Sequence, residues 1–215
     1  MATVSLCMIV KNEEDVLGRC LASAAPAVDE IVIVDTGSTD RTLEIARQYT
    51  RAVYTFPWID DFSAARNFSF SKATMDYCFW LDADDDLLKA YCQALIALKK
   101  NLSPDVDMVM MRYHVAFDGH GKPTFSYYRE RLVRRAAGFR WEGAVHEAIA
   151  PRGKVLYSEI AVTHQKLRPS DPDRNLRIYE KLLRDGAALA PRDQFYYARE
   201  LSDHGRNDEA AQILT

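Results

Sequence analysis

The chain has 215 residues, with 28 Lys and Arg against 31 Asp and Glu for a formal charge of −3, and 48% of it is apolar. That balance excludes a disordered chain, which needs low hydrophobicity and high net charge. A near-neutral chain also has no general affinity for nucleic acid or anionic lipid. The length predicts one domain of about 150 residues plus a remnant, enough to bury a core without disulfides or a structural metal. Cys7, Cys20, Cys78 and Cys92 form no C-x-x-C pair, and most lie in apolar surroundings where a thiol packs as a small hydrophobe. A reducing, cytoplasmic setting is therefore expected. No run approaches the roughly 18 apolar residues of a membrane span, and Val4 to Val10 lacks the basic flank of an export signal. Peripheral association with a membrane stays open.

In chain order, Val4 to Val10 is a short apolar run that suits a buried strand. Asn12 is predicted to cap a helix with Glu13, Glu14 and Asp15 in its first turn and Leu17, Leu21 and Ala24 on one face. A second strand, Glu30 to Val34, ends at Asp35, and the turn Thr36 to Asp40 opens a helix carrying Leu43, Ala46 and Tyr49. Val53 to Phe56 is a third strand and Phe62 to Met75 a third helix. Tyr77 to Leu81 is a fourth strand running into Asp82-Ala83-Asp84-Asp85-Asp86, and a helix spans Leu88 to Lys100. Such alternation implies an α/β fold with a mainly parallel sheet and helices on both faces. Ligands then bind at the carboxyl ends of the strands, which here carry Lys11-Asn12-Glu13, Asp35 and Asp82-Ala83-Asp84.

Beyond Asp105 the pattern changes. Met108 to Ala116 and Phe125 to Val133 are predicted strands joined by the turn Asp118 to Pro123. Phe139 to Glu147 is irregular, and a last strand runs from Val155 to Thr163 and ends at His164. From Pro172 onward the chain is helical: Leu176, Tyr179, Leu182 and Leu183 share a face up to a stop at Pro191, Phe195 to Leu201 forms a second helix, and Glu209 to Leu214 a third. The expected division is an α/β domain over 1–165 and a helical segment over 166–215.

The acids after the fourth strand are the sharpest local signal. Four carboxylates in five positions repel one another, and a divalent cation is a common reason to keep them at one strand end. A magnesium-like ion fills its shell with water and phosphate oxygens, so a phosphorylated substrate is implied. The alternative is that Asp85 or Asp86 caps the next helix. Asp35 either accepts the ring N–H of a nucleobase or forms an Asx turn ahead of Gly37. Arg66 is either a cation for a diphosphate or a solvated surface arginine.

The blocks Ser5 to Glu13, Glu30 to Thr42, Phe62 to Asn67 and Trp80 to Asp85, in that order and spacing, resemble glycosyltransferase family 2. The resemblance covers about residues 3 to 165. Within that family the chain is similar to bacterial enzymes with a downstream Trp141-x-Gly143-x-Val145-His146-Glu147 motif and a tetratricopeptide-like tail. The resemblance implies a GT-A (nucleotide-diphospho-sugar transferase-like) fold and an inverting, hexosyltransferase-type enzyme using a nucleoside-diphosphate sugar. It implies that Asp35 recognises the base, Glu13 lies near the nucleoside and Asp82 near the ribose, and that Asp84 holds Mg²⁺ or Mn²⁺ on the diphosphate. Arg66, and with it Arg131 or Arg134, would add to the diphosphate clamp, although Arg131 to Arg135 also reads as a solvated strand edge. The acceptor would be a glycan, a lipid-linked glycan or a peptide.

Inverting transfer needs a general base beside the acceptor hydroxyl, and the Glu-Asp pair that often supplies it in the family is missing here. Glu147 is the expected base, with Glu142 second. His146 would bind the metal or position the acceptor, and Trp141 would be a sugar platform; the alternative is a tryptophan-anchored loop with exposed acids. His164 is expected to be a satisfied structural residue, with a place on the rim as the alternative.

In the tail, Ala198, Leu201, Gly205, Glu209 and Ala210 resemble barely one tetratricopeptide unit. About three units are needed for stability, so an incomplete array offering a partner or dimer surface is expected, unless the hairpin packs on the catalytic domain. Two other enzyme classes fit poorly. A haloacid-dehalogenase-like phosphatase places its acids after the first strand, and a dinucleotide-binding fold needs G-x-G-x-x-G, which the first strand lacks. A non-catalytic nucleotide-binding or partner-recruiting module is the remaining alternative.

Overall fold

The structure is a computed structural model and describes residues 1–165 and 171–214. Residues 166–170, where the boundary between the two expected domains falls, lie outside the described residues. In chain order the elements are β1 (Val4–Val10), α1 (Leu17–Ala24), β2 (Glu30–Asp35), α2 (Thr42–Tyr49), β3 (Val53–Thr55), α3 (Phe62–Lys72), β4 (Tyr77–Trp80), β5 (Asp85–Asp86), α4 (Lys89–Asn101), β6 (Met108–Phe117) and β7 (Pro123–Arg134). They continue with β8 (Trp141–Glu142), β9 (Ala148–Ile149), β10 (Val155–His164), α5 (Arg174–Arg184), α6 (Pro191–Asp203) and α7 (Asn207–Ile213).

Eight strands form one sheet in the order β3-β2-β1-β4-β7-β6-β10-β5. The pairs β1 with β2, β1 with β4, β2 with β3, and β6 with β10 are parallel, whereas β7 runs antiparallel to both β4 and β6. This is the mixed, mainly parallel α/β architecture expected from the alternation. Side chains alternate across the sheet: Leu6, Met8 and Val10 of β1 pack with Leu17, Leu21 and Leu95 on one face. Cys7, Cys78 and Trp80 pack with Phe70 and Trp141 on the other. Because β1, β2, β4, β6 and β10 point one way, residues 11–13, 35–36, 82–84 and 164 meet at one edge.

Three local predictions change. Asn12 does not cap a helix: its backbone is left-handed, φ 56°, and its Oδ1 accepts from Thr39 N–H at 2.7 Å, so α1 starts only at Leu17. Neither Asp85 nor Asp86 caps α4, because both lie in β5, which pairs with Thr163 and His164. Pro191 opens α6 rather than stopping α5; its ring suits the first helical position, where no N–H partner is needed. The stop is Asp185-Gly186, with Gly186 at φ 85°.

Helices α5 to α7 share a buried cluster, Leu176, Tyr179, Tyr197 and Leu201, that also takes in Val145 and the partly buried Trp58 and Phe62. The helical segment is thus packed onto the α/β body at the cleft edge. No helix among the described residues is long and apolar enough to cross a membrane.

Candidate active site

A cleft of about 620 Å³ opens at the carboxyl edge of the sheet. Its floor is Ile9 to Glu13 and Thr36, one wall is Asp82 to Asp84 with His164, and the opposite wall is Val145 to Glu147 with Trp58, Phe62 and Arg66. Arg174 and Asn175, from the first turn of α5, close one end.

Arg66 organises the centre. Asp61 starts α3 by accepting from Ala64 N–H at 2.9 Å, which leaves Arg66 in the second turn, facing inward and only 7% exposed. Its Nε donates to Glu147 Oε1 at 2.5 Å and its Nη2 to Asp82 Oδ1 at 2.7 Å, while the guanidinium lies 4.9 Å from the ring centroid of Trp80 and 4.8 Å from that of Trp141. Burial alone would lower the Arg66 pKa, but the two carboxylates outweigh it and hold the cation above its ordinary value. Asp82 mirrors this: burial raises it, and Arg66 with Arg131 holds it below the usual carboxylate range. Arg66 is therefore a fixed bridge between the D-x-D loop and the Trp141–Glu147 loop.

Asp84, Asp85 and His164 form a group able to hold a metal ion, their ligand atoms all within 4.8 Å of one another. His164 Nδ1 lies 3.5 Å from Asp84 and 3.6 Å from Asp85, and 3.0 Å from the Tyr113 hydroxyl. Contacts with the two acids push the imidazole up to about 10, against burial. Asp84 and His164 are partly exposed at the rim. Asp85 is fully buried, taking Arg131 Nη1 at 2.9 Å and the Tyr113 hydroxyl at 2.9 Å. Asp84 and His164 thus fit a divalent cation, whereas Asp85 is committed to the core. His164, expected to be structural, is the ligand-type residue that the register of β10 with β5 delivers to the D-x-D loop.

Several expected site residues lie elsewhere. Arg131 is neither a diphosphate ligand nor a solvated edge: it is fully buried, paired with Asp85 and held between Trp80 and Tyr113, 3.8 and 4.3 Å from the ring centroids. Arg134 is at the wrong end of the sheet, because β7 runs antiparallel to β4 and sets Arg134 opposite Tyr77, where it pairs with Asp107. Trp141 is 2% exposed and packs on Phe70 and Trp80, so it presents no face to a sugar; Asn67 fixes its backbone through both N–H and C=O. Glu142 is exposed and does not line the cleft. His146 lines the cleft but stands outside the metal-ligating group, with Nε2 turned to Glu200 at 2.9 Å. Asp35 is buried and accepts from the N–H groups of Gly37 and Ser38 at 3.1 and 3.2 Å, the Asx turn its sequence allowed. Glu13 lines the cleft, its N–H donating to the Thr42 hydroxyl at 2.7 Å.

Trp58, Arg174 and Asn175 were not anticipated. Trp58 shares an edge-on contact with Phe62 and donates Nε1–H to Asp60 at 2.8 Å. It is the tryptophan that faces the cleft. Its sequence signal is modest: a tryptophan three residues before the Asp61 helix cap. Arg174 and Asn175 carried no signal, since their place depends on α5 folding back.

The family model described as Glycosyl transferase family 2 matches residues 5–152. A TPR repeat-containing protein of Synechococcus elongatus is 51% identical over 88 residues, covering 41% of this chain and 22% of its own length. The SPbeta prophage-derived glycosyltransferase SunS of Bacillus subtilis is 27% identical across 99% of this chain and 52% of its own length. The chain thus spans about a fifth and about half of these two relatives. Among solved structures, glucosyl-3-phosphoglycerate synthase from Mycobacterium tuberculosis in complex with Mn²⁺ and UDP-glucose aligns with a TM-score of 0.54 at 16% identity, over 88% of this chain and 81% of that one. At that identity the likeness shows the fold alone.

Proposed function

The chain belongs to glycosyltransferase family 2, and from that premise we propose that it transfers a sugar from a nucleoside-diphosphate donor to an acceptor nucleophile, with inversion, in the cleft at the sheet edge. The observation that carries the proposal is the convergence of Asp84 and His164 on one wall with the Asp82–Arg66–Glu147 chain that joins this wall to the opposite one. The cleft volume also falls within the range of small-ligand sites. A similar fold has been solved with Mn²⁺ and UDP-glucose, which supports both a nucleotide-sugar donor and a divalent cation.

Asp84 and His164 would hold that cation, and a carboxylate with an imidazole suits Mn²⁺ better than Mg²⁺. When bound, it would neutralise the charge that the leaving diphosphate gains. Glu13 and Asp82 lie at the nucleoside end in this reading, and Asp35 serves the base by shaping the turn that carries Thr36. Glu147 is the base we assign, since its carboxylate lines the cleft and Glu142 does not. Arg66 fixes Glu147 rather than gripping phosphate, and Trp58 takes the platform role expected of Trp141. The acceptor is a saccharide, a lipid-linked glycan or a peptide.

Thermal unfolding with nucleotides tests the proposal. A ligand at 100 times its dissociation constant stabilises by about 2.7 kcal/mol, or about 5–10 °C for a chain of this size. UDP or GDP should give such a shift only with Mn²⁺ or Mg²⁺, and Asp84→Ala should abolish it. Absence of any shift with these nucleoside diphosphates and metals would refute the reading.

A further inference from the structure

His146 of the cleft wall is held by the C-terminal helices through both its ring and its backbone. His146 has a left-handed backbone, φ 52°, an uncommon conformation for a residue other than glycine. Its ring lies flat on Tyr196 of α6, with centroids 4.2 Å apart and planes 17° from parallel. Its Nε2 is 2.9 Å from Glu200 Oε1, and because a carboxylate only accepts, Nε2 carries the proton. The same Glu200 oxygen accepts from Asn175 Nδ2 at 3.0 Å. Arg192 donates to the His146 carbonyl at 2.9 Å. On the other side of the peptide stands Glu147, bound to Arg66.

We propose that Glu200 and Tyr196 are positioning residues: by holding the His146 ring they fix the left-handed turn that sets the Glu147 carboxylate against Arg66, and the C-terminal helices are thereby part of the catalytic unit. For turnover, this inference rests on the sugar-transfer reading above. Release of His146 toward ordinary backbone angles reorients the next peptide, and with it Glu147. A misplacement of about 1 Å in a reacting group lowers turnover by up to about 100-fold. Gly143, at φ 94°, begins the same loop; a Cβ there would meet the Val145 carbonyl at 3.2 Å and Asp193 of α6 at 3.4 Å. The loop and α6 are therefore in close contact at both ends.

The test has one arm that needs no substrate. The Arg66 Nε–H proton, held by Glu147, is observable by NMR. Glu200→Ala should speed its exchange with solvent by about tenfold or more, whereas Glu200→Gln keeps an acceptor oxygen and should leave it protected. In the second arm, Mn²⁺-dependent hydrolysis of UDP- and GDP-sugars, Glu200→Ala should lower kcat by about 10- to 100-fold with donor KM unchanged, and Glu200→Gln should restore it. Arg206→Ala cuts the Arg206–Glu180 pair in the same helices and controls for lost helix stability. An unaltered Arg66 signal in Glu200→Ala, or an equal kcat loss in Arg206→Ala, overturns the proposal. Failure of the wild-type protein to turn over any of these sugars counts against the transfer reading, and the Arg66 signal then decides the positioning role by itself.

Discussion

His164 carries its pH dependence in its neighbours. The ordinary imidazole value is 6.5, and Asp84 and Asp85 raise it to about 10 in the metal-free protein. A folded-state value above the unfolded one stabilises the fold fully below pH 6.5, and the contribution is lost as pH rises through about 10. His164→Asn should therefore cost stability in EDTA at pH 6, and the difference from wild type should shrink by pH 10.5 in urea titrations. A penalty that grew with pH would contradict this. At this scale the place of Asp82 and Asp84 on the cleft wall was legible because crowded acids after an apolar run have few structural explanations. His164 was legible only as the alternative of a place on the rim, since its partner strand is the two-residue β5, too short for any periodicity. Arg131 misled for the same kind of reason. Its burial comes from Asp85 on one side and two aromatic rings on the others, and no local pattern records those contacts.

Among the elements, the short hairpin of β8 and β9 does work that its length conceals. Trp141 pairs with Ile149 across it, and the Trp141 ring fills the space between Phe70, Trp80 and the Arg66 guanidinium. Trp141→Ala should destabilise the protein by about 3–5 kcal/mol, the cost of deleting a buried tryptophan, measured as a lower denaturant midpoint. A stability loss below about 1 kcal/mol would contradict this packing role. The alternating strands and helices up to residue 100 were readable from apolar runs and turns. Helix starts were less so, because Asn12 and Asp85, both good caps by type, are drawn into tertiary hydrogen bonds instead.

For the whole molecule, the question is whether the helical segment is separable. It shares one buried cluster with Val145, Trp58 and Phe62, and it also ties Lys181 to Asp60. A chain ending at residue 165 should expose that apolar patch, bind the dye ANS and melt at a lower temperature than the 215-residue chain. Equal melting temperatures and no dye binding would show two independent units. The helical character of the tail was legible; the sequence did not say which surface its apolar face would cover. That depends on a loop, 143–147, whose His146 lies 46 residues in sequence from Arg192, its contact in α6.

The strand order has an implication for solubility. β10 is the last long strand of the sheet, and among the described residues its carboxyl end pairs on the outer side with β5, the two residues Asp85 and Asp86. An open strand edge invites pairing with another chain, and a charged side chain on it is a natural deterrent. Asp85 is buried against Arg131, so of these two Asp86 alone stands as a charge on that flank, and Asp86→Ala would weaken a protection against edge-to-edge pairing that is separate from the D-x-D pair Asp82 and Asp84.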